Sequence, residues 1–379
     1  MKIIFICGSV EYGRDGVGDY TRRLAGELIS KGHETGILAL NEKHISTEIN
    51  CKQTSGIFDI PVLRLPTSVS NKKRLQSAKV WIDEHNPEWL SLQFVPYAFN
   101  IKGMPFGLAD ALANIGKGRL WHIMFHELWI GMDISSSWKN YLFGLVQKHL
   151  IQSFISKLKP KVINTQSNLY FTLLTQLGYD VYHLPLFGNI DISDNAQKDN
   201  TLNEQAGIKK ISGKQSFILF GGIHAAAPVD EFAKEVAAYC LESEVQWKLI
   251  IIGRCGEEQE RWSSVWRGAG LDVQILGELP PGTISQELKS ASWGIATTPV
   301  ALIDKSGSVA AMIDHGLPVV CVSRPWIPRN NIEVEIPAGI FEYKKGNARE
   351  AFSLQKKQIS KSRISTISEQ FLDSLSASV

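Results

Sequence analysis

The sequence predicts an α/β protein made of two doubly wound, Rossmann-like domains. Short, continuous apolar runs such as Lys2–Cys7 alternate with helical segments, which is the pattern of strands buried on both faces of a parallel sheet. The alternation restarts after a polar stretch in the middle of the 379 residues, a length that suits two domains. Because ligands of such folds bind at the carboxyl ends of the strands, we expect the ligand site in the cleft between the two halves.

The elements of the first half follow in order. After the strand Lys2–Cys7 comes a glycine loop, and an amphipathic helix is expected from Tyr20 to Ser30 because Leu24 and Leu28 lie one turn apart. A strand at 36–40 completes a βαβ unit. The remaining strands are expected at 89–94, 120–125 and 161–164, and the helices at 75–85, 108–115, 141–158 and 169–177.

The second half begins after a predicted linker at 188–215, a stretch with few large apolar residues. Strands are then expected at 217–220, 247–252, 273–276, 293–296 and 319–322, and helices at 229–241, 257–266, 284–291 and 308–315. The predicted domains are 1–187 and 188–360, followed by a C-terminal helical segment, 361–379. Whether that last helix closes the second domain or crosses back to the first is left open.

Composition and charge exclude several classes of function. The formal net charge is only +2, which gives no strong electrostatic footprint for nucleic acid. The five cysteines are scattered without C-x-x-C spacing, which indicates free thiols in a reducing compartment and argues against a zinc ribbon. The first apolar run is too short for a signal sequence, and no stretch reaches the about 18 apolar residues of a membrane span. We therefore expect a cytoplasmic protein.

The most informative motif lies at 301–320. The helix expected there ends at Gly316, a typical C-terminal cap, and Pro318 precedes the next strand. The residues at the start of that helix are Lys305, Ser306, Gly307 and Ser308. At a helix N-terminus, unpaired backbone N–H groups and the positive end of the dipole favour an anion. The motif therefore predicts a phosphate site, and the alternative is an ordinary serine-capped helix with a solvated lysine.

Arg254 follows another strand of the second half. Together with Lys305 it could neutralise a diphosphate, because arginine offers a fork of donors and lysine a point charge. The alternative for each residue is a solvated position on the surface.

A glycine-rich loop follows the first strand of each half, at Gly13–Tyr20 and at Gly221–His224. In the first loop, five residues separate the strand from Gly13, so the spacing does not fit the G-x-G-x-x-G fingerprint of dinucleotide binding. Both loops expose backbone amides that suit a phosphate or a sugar. The alternative is that they are tight turns whose glycines adopt positive φ.

His126 and Glu127 end the strand expected at 120–125. Where a zinc protease would carry its second histidine this chain has Ile130, and no Asp-x-Asp pair is present to bring a divalent ion to a diphosphate. We therefore expect no metal and no other cofactor. His126 is either a functional residue or a histidine satisfied within the core.

Together these motifs make the chain similar to the GT-B glycosyltransferases, specifically those of retaining family 4. The similarity spans nearly the whole length and is carried by the segments 16–25, 125–127, 220–222, 251–254, 276–279 and 305–320. The resemblance implies that the second domain binds a nucleotide-diphospho-sugar and the first binds an acceptor. It also implies that the first glycine loop faces the diphosphate.

The resemblance assigns roles to individual residues. His126 matches a residue that contacts the donor sugar, and with Lys305 and Arg254 it forms the expected catalytic set. Residues 277–279 would border the base. The expected donor-binding residues are Gly16, Val17, Gly18, Asp19, Gly221, Gly222, His224, Gly277, Glu278, Leu279, Asp304, Ser306, Gly307 and Ser308.

The chain departs from the family pattern at two positions. In the family, two glutamates eight residues apart flank the phosphate helix, one contacting the donor sugar and the other the ribose; here they are Ile303 and Ala311. Asp304 is the candidate replacement for the first. At position 311 the chain has no carboxylate that could bind the ribose.

The expected function is a retaining, metal-independent transfer of a sugar from a nucleotide-diphospho-sugar to a glycan or glycolipid acceptor in polysaccharide biosynthesis. A UDP-sugar is the favoured donor, GDP- and dTDP-sugars stay open, and so does peripheral contact with the inner face of the membrane. No nucleic-acid partner is expected. One alternative is a non-catalytic nucleotide-sugar-binding subunit, suggested by the missing glutamates. Another is a Rossmann-type oxidoreductase, suggested by the glycine loops and by Glu42 after the second strand.

Overall fold

The computed structural model describes residues 1–192, 215–352 and 363–378, which fall into two compact units. Unit 1 consists of Met1–Leu186, Ile327–Glu333 and Ile364–Val379, and unit 2 of Phe187–Trp326 and Val334–Arg363. The two α/β domains expected from the sequence are present. The predicted second domain is interrupted, because the chain returns to unit 1 at 327–333. Most of the predicted linker, at 193–214, lies outside the described residues.

Unit 1 contains the first eight strands and the first six helices. The strands are β1 (Lys2–Cys7), β2 (Glu34–Glu42), β3 (Ile49–Ser55), β4 (Phe58–Pro66), β5 (Trp89–Phe94), β6 (Leu120–Phe125), β7 (Val162–Thr165) and β8 (Tyr182–His183). The helices are α1 (Gly16–Ser30), α2 (Asn71–His85), α3 (Pro96–Phe99), α4 (Leu108–Ile115), α5 (Trp138–Leu158) and α6 (Asn168–Gln176).

The strands of unit 1 form one sheet in the order β3-β4-β2-β1-β5-β6-β7-β8. All neighbours are parallel except the hairpin of β3 with β4. Strand β5 is buried at all six residues, and β1 and β6 at all but the first, which explains their continuous apolar sequences. The hairpin was not predicted, because the sequence of β3 is largely polar and half-exposed.

The described residues of unit 2 form six strands and five helices. The strands are β9 (Gln215–Phe220), β10 (Trp247–Ile252), β11 (Asp272–Gly277), β12 (Trp293–Ala296), β13 (Val319–Cys321) and β14 (Ile340–Glu342). The helices are α7 (Val229–Ser243), α8 (Glu258–Gly268), α9 (Pro281–Ser290), α10 (Gly307–Asp314) and α11 (Ala348–Ala351), with a 3-10 helix at Val300–Lys305.

The sheet of unit 2 is parallel throughout, in the order β11-β10-β9-β12-β13-β14. The chain runs outward from β9 through β10 to β11 and then returns to the other side of β9 as β12. Its direction of winding therefore reverses between β9 and β12. One face of the sheet is covered by an aromatic core in which Phe217 stacks on Trp247, with ring centroids 4.5 Å apart.

The last helix, α12 (Ile364–Ser376), packs in unit 1. Phe371 is fully buried, and its ring stacks on that of Phe5 in β1, with centroids 5.9 Å apart. The ring of His122 in β6 meets it edge-on at 5.1 Å. Lys31 Nζ donates to Glu369 Oε1 at 2.7 Å, which ties α1 to α12. The core of the first unit is thus completed by the last helix of the chain.

The segment 327–333 is attached to unit 1 by backbone hydrogen bonds. The amide of Arg329 donates to the carbonyl of Met132 at 2.7 Å, and the amide of Ile134 donates to the carbonyl of Ile327 at 2.9 Å. The Arg329 guanidinium donates to the carbonyl of Gly131 at 2.9 Å and stands 4.9 Å from the ring centroid of Tyr141. These contacts hold the segment on the loop between β6 and α5.

Helix α1 begins earlier than predicted, at Gly16, so part of the first glycine loop is helical. Asp15 is the N-cap, and its Oδ1 accepts from the amide of Gly18 at 2.7 Å. A Cβ built on Gly18 would lie 2.4 Å from the carbonyl oxygen of Ser9, whereas one built on Gly16 has no neighbour within 4 Å. Gly18 therefore allows a close approach between α1 and the loop after β1.

Substitution by alanine is therefore expected to affect the stability of the protein differently at Gly18 and at Gly16. We expect Gly18→Ala to lower the free energy of unfolding by about 1–3 kcal/mol, because the methyl group clashes with backbone. Gly16→Ala should be neutral or stabilising by up to about 1 kcal/mol, because a helical alanine costs less entropy than glycine. Urea unfolding of both variants measures this, and equal effects would contradict the packing role of Gly18.

Candidate functional site

A cavity of about 550 Å³ opens at the carboxyl edge of the unit 2 sheet. It is bordered by the loops after three neighbouring strands, β9, β12 and β13, and by the start of α10. The lining residues are Gly222, His224, Ala225, Thr298, Pro299, Leu302, Lys305, Ser306, Ser308, Arg324 and Trp326. The cavity thus lies where the winding of the sheet reverses, which is where doubly wound folds bind their ligands.

The N-terminus of α10 opens on this cavity. Ser306 is the N-cap, and its Oγ accepts from the amide of Val309 at 3.4 Å and lies 3.1 Å from Ser308 Oγ. The first N–H groups of an α-helix have no acceptor within the helix, and the dipole adds positive potential, so an anion is stabilised there. Gly316 adopts a φ of +77° beyond the other end, as the predicted cap requires.

Three basic side chains line the cavity: His224, Lys305 and Arg324. Burial lowers the pKa of His224, and the positive charges of Lys305 and Arg324 lower it further. The three groups line the same cavity, so each cation disfavours the protonated form of His224. None of the described lining residues is acidic. The cavity is therefore suited to a negatively charged ligand, whose binding would relieve the repulsion.

A hydrogen bond between two loops and the backbone conformation of a glycine hold the loops around the cavity in place. The amide of His224 donates to Thr297 Oγ1 at 2.9 Å, which joins the loop after β9 to the loop after β12. Gly221 has a φ of +88°, a conformation that favours glycine. A Cβ built on Gly221 would stand 3.6 Å from Ser308 Cβ, an ordinary contact. Gly221 thus serves the turn, and its neighbour Gly222 lines the cavity.

Arg254 and residues 277–279 lie elsewhere in unit 2. Arg254 Nη2 donates to Glu278 Oε2 at 2.6 Å, and the two residues follow β10 and β11, on the side of β9 away from β12. Neither Arg254 nor residues 277–279 line the cavity. The structure therefore brings Lys305 together with Arg324 instead of with Arg254.

The positions of the two missing glutamates are buried. Ile303 and Ala311 are each 1 % exposed and belong to the apolar core of unit 2. Neither position presents a polar group to a ligand. Asp304 lies in the 3-10 helix next to Lys305 and is not among the residues that line the cavity. Gly307 is the first residue of α10.

In unit 1, the predicted donor-binding residues Gly16, Val17, Gly18 and Asp19 form the first turn of α1. Asp19 Oδ1 accepts from Arg22 Nη1 at 2.7 Å. Arg22 is 4 % exposed, and its guanidinium lies 3.7 Å from the ring centroid of Tyr12. The contacts of this turn are internal to the unit, and its role in binding a donor stays a prediction.

His126 is buried at the end of β6 and belongs to a chain of polar side chains. Its Nε2 donates to Gln93 Oε1 at 2.9 Å, and Gln93 Nε2 donates to Ser91 Oγ at 2.8 Å. The Ser91 hydroxyl donates to His122 Nδ1 at 2.7 Å, and His122 Nε2 donates to Asn164 Oδ1 at 2.9 Å. These bonds run in one direction across β5, β6 and β7 and are all satisfied when each imidazole carries its proton on Nε2.

Both histidines of this network are neutral at pH 7. Burial lowers the pKa of His122 to about 3, although the hydrogen bond that His122 donates to Asn164 raises it, and burial together with the nearby His122 lowers the pKa of His126 to about 3. With its Nε2 proton committed to Gln93, His126 has Nδ1 as its acceptor. Any contact of His126 with a ligand would therefore be that of a neutral hydrogen-bond acceptor.

Glu42, the acid that suggested an oxidoreductase, is fully buried. Its Oε1 accepts from the amide of Val10 at 2.7 Å and from Arg64 Nε at 3.0 Å, and its Oε2 accepts from Ser9 Oγ at 2.9 Å. The carboxylate is thus engaged in holding the loop after β1. This argues against its binding a ribose, as a nicotinamide cofactor would require.

Cysteine pairing, potential metal ligands and apolar helices are the remaining features that bear on function. All five cysteines are free thiols, as their spacing predicts. Within residues 1–192, 215–352 and 363–378, no group of three or more His, Cys, Asp or Glu residues is placed to hold a metal ion. None of the described helices has both the length and the apolar character needed to cross a bilayer.

Two polar residues of the cavity, Thr298 and Arg324, were not predicted from the sequence. Thr298 lies two residues after β12 and Arg324 three residues after β13. Their position after a strand was the available signal, because strand ends meet at one edge of a parallel sheet. Neither belongs to a phosphate-binding motif, and Arg324 stands alone in the sequence Ser-Arg-Pro.

No family model and no curated protein matches the sequence. Anabaena Alr3699/HepE, solved in complex with UDP and glucose, is 16% identical over 100% of both chains, with a TM-score of 0.58. The apo lipopolysaccharide outer core galactosyltransferase WaaB is 13% identical over 100% of both chains, with a TM-score of 0.57. UDP-GlcNAc 2-epimerase from Neisseria meningitidis, bound to UDP-GlcNAc, is 9% identical over 100% of both chains, with a TM-score of 0.53. These similarities show that the chain has the GT-B fold, which serves more than one kind of enzyme.

The neutral histidines predict a loss of stability in acid. Each has a folded pKa of about 3 and an unfolded pKa of about 6.5, so the unfolded state binds more protons between these values and stability falls as pH drops below about 6.5. We expect His126→Gln to reduce the loss in unfolding free energy between about pH 7 and pH 5 by about 2 kcal/mol. Urea unfolding at both pH values measures it. The exposed His44→Gln is the control, and a wild-type pH dependence in His126→Gln would contradict the assignment.

Proposed function

We propose that the protein is a retaining, metal-independent glycosyltransferase whose second unit binds a nucleotide-diphospho-sugar. The observation that carries the proposal is the cavity at the reversal of the unit 2 sheet, where the N-terminus of α10 meets Lys305, Arg324 and His224. A diphosphate is the ligand whose charge and size suit this set of donors. The GT-B fold supports the same conclusion.

The same groups supply the chemistry that the departure of a nucleoside diphosphate requires. As the bond to the sugar breaks, negative charge develops on the β-phosphate, and Lys305, Arg324 and the first amides of α10 stabilise it from fixed positions. Preorganised donors of this kind contribute about 3–4 kcal/mol each to lowering a barrier. Charge neutralisation by side chains and a helix N-terminus is the role that a divalent ion plays elsewhere, and metal independence is proposed on this ground.

The remaining lining residues would contact the uncharged parts of the donor. Leu302, Pro299 and Trp326 are the large apolar residues that line the cavity. With Ile303 and Ala311 apolar and buried, the ribose would have to be held by groups other than the two family carboxylates. We favour a UDP-sugar as donor, because the neighbour HepE was solved with UDP and glucose.

Transfer with retention can proceed without a dedicated base. In this mechanism the leaving phosphate oxygen would accept the proton of the acceptor hydroxyl on the face from which it departs, while the sugar has oxocarbenium character. We propose a glycan or a lipid-linked glycan as acceptor, in keeping with the named role of the neighbour WaaB. A contact of His126 with the donor sugar and a cytoplasmic location stay predictions.

A second candidate is a non-catalytic subunit that binds a nucleotide-sugar. The observation that favours it is the absence of both carboxylates from the positions of Ile303 and Ala311, while the phosphate-binding helix is retained. Such a protein would bind the donor without turning it over. Binding and transfer must therefore be measured separately.

Binding is tested first, by calorimetric titration with UDP. We expect Lys305→Met and Arg324→Met each to weaken UDP binding about tenfold or more, because each removes a charge-assisted hydrogen bond. Arg254→Met removes an equal charge at a residue paired with Glu278 outside the cavity, and we expect a change of about twofold or less. Wild-type affinity in Lys305→Met, or an equal loss in Arg254→Met, would overturn the site.

Transfer is tested with UDP-, GDP- and dTDP-sugars and a glycolipid extract as acceptor. We expect a product of retained anomeric configuration by NMR, a rate unchanged by EDTA, and a rate lowered about a hundredfold or more in Lys305→Met. Loss of activity with EDTA would exclude the metal-independent mechanism. Donor binding without any transfer would select the non-catalytic subunit, and conversion of the donor into its C2 epimer without acceptor would show an epimerase.

A further inference from the structure

The chain of hydrogen-bonded side chains that includes His126, which we call the polar chain, ends at a backbone carbonyl. Its last member is Asn164 in β7, whose Nδ2 donates to the carbonyl oxygen of Tyr182 in β8 at 3.1 Å. A carbonyl oxygen can accept a hydrogen bond but cannot donate one. Asn164 must therefore turn its amide nitrogen toward Tyr182, and its Oδ1 is left to face His122.

This orientation of Asn164 determines the roles of the next two side chains. Because Asn164 Oδ1 only accepts, the neutral ring of His122 donates to it from Nε2 at 2.9 Å, and Nδ1 of the same ring is an acceptor. The hydroxyl of Ser91 lies 2.7 Å from that Nδ1 and must therefore donate its proton to it. His122 and Ser91 are both fully buried, which removes bulk water as an alternative partner.

The same reasoning extends to His126 at the other end of the polar chain. With its proton donated to His122, the oxygen of Ser91 accepts from Gln93 Nε2 at 2.8 Å. Gln93 Oε1 then faces His126 Nε2 at 2.9 Å and requires a proton on that nitrogen. Among the residues that the structure describes, this is the one hydrogen bond of the His126 ring. The carbonyl of Tyr182 thus determines the tautomer of a histidine with four side chains in between.

We infer that the other four members of the polar chain are positioning residues for His126, and that they hold its ring in the Nε2-protonated form. These four are Gln93, Ser91, His122 and Asn164. In that form His126 meets a ligand only as a hydrogen-bond acceptor, through Nδ1, so the group that it recognises must carry a proton to donate. A sugar hydroxyl carries such a proton and a sugar carboxylate does not. The inference rests on the proposed function, under which the ligand is the transferred sugar, and it favours a hydroxyl over a carboxylate at the position that His126 contacts.

The tautomers are measured by long-range proton–nitrogen correlation spectra of the full chain, labelled with nitrogen-15 histidine, at about pH 7 and without any ligand. His126→Gln and His122→Gln assign the two signals. We expect both rings to be protonated on Nε2 alone. A polar chain that serves only the packing of its strands would be indifferent to which nitrogen of His126 carries the proton.

Two substitutions test whether the polar chain sets this state. Asn164→Leu removes its fixed end, and we expect His126 to shift toward the Nδ1-protonated form, because reversing the chain then leaves an unpaired acceptor on His122 instead of an unpaired N–H. Ser91→Ala is the milder change. It separates Gln93 from His122, so that the Gln93 amide can face His126 either way, and we expect a mixture of both forms.

Two further variants are the controls. Ser91→Thr keeps a hydroxyl at the same place and should keep the wild-type tautomer of His126. Ser263→Ala removes an equally buried hydroxyl from α8 of unit 2, where Ser263 Oγ donates to the carbonyl of Gln259 at 2.8 Å, and it should also leave His126 unchanged.

A transfer assay on the same variants tests whether the tautomer matters to the reaction. We expect Ser91→Ala to lower kcat about fivefold or more, because His126 then spends part of its time in a form that cannot accept from the sugar. The affinity for UDP should stay within about twofold of the wild type, since the diphosphate cavity belongs to unit 2. Ser91→Thr and Ser263→Ala should transfer at the wild-type rate.

Three results would overturn the inference. These are a wild-type His126 that is not protonated on Nε2 alone, an unchanged tautomer in both Asn164→Leu and Ser91→Ala, and a wild-type kcat in a Ser91→Ala variant whose His126 is a mixture. The last result would leave the polar chain with a packing role only. The spectra are recorded without a nucleotide-sugar, so a wild type that shows the expected tautomer and transfers no sugar would contradict the proposed function alone.

Discussion

The site in unit 2 depends on one constraint, the common direction of its strands. Because all six run parallel, their carboxyl ends meet at one edge, and the loops after β9, β12 and β13 converge there from distant parts of the sequence. The reversal of winding between β9 and β12 separates the following helices and leaves room for a ligand. The cations of the cavity and the start of α10 are neighbours for this reason, although 84 residues of sequence separate His224 from Ser308.

The sequence predicted much of the fold because parallel strands buried on both faces leave continuous apolar runs. Strands β1, β5 and β6 begin and end at the predicted residues for this reason, and α10 lies within one residue of the helix predicted from Gly316. The hairpin of β3 and β4 was not predicted, because a half-exposed polar strand such as β3 has no continuous apolar run. The start of α1 was not predicted, because three glycines within the eight residues 13–20 indicate a loop. In the structure, Asp15 caps a helix there.

The candidate site was predicted where its signal is local, and missed where it is not. Residues 305–308 form a motif that can be recognised in one stretch, and they line or adjoin the cavity. Arg254 and Arg324 both follow strands, and only the order of those strands in the sheet decides which one stands beside Lys305. That order cannot be derived from the spacing of apolar runs. The electrostatics of His126 were likewise hidden, because burial and the nearby His122 lower its pKa, and neither can be located from the sequence around His126.

The path of the chain between the two units has a consequence for how the protein is made. Unit 1 is assembled from three separate stretches, the last of which is α12 with the buried Phe371. During synthesis, its sheet is therefore finished long before the helix that covers β1 leaves the ribosome, and unit 2 emerges in the meantime. Until α12 is synthesised, unit 1 exposes the apolar surface around Phe5 that Phe371 covers in the finished protein. Exposed apolar surface of this kind is what chaperones bind. For the same reason, exchanging the halves of two related proteins by a single cut near residue 187 would pair the first part of unit 1 with the other parent's last helix.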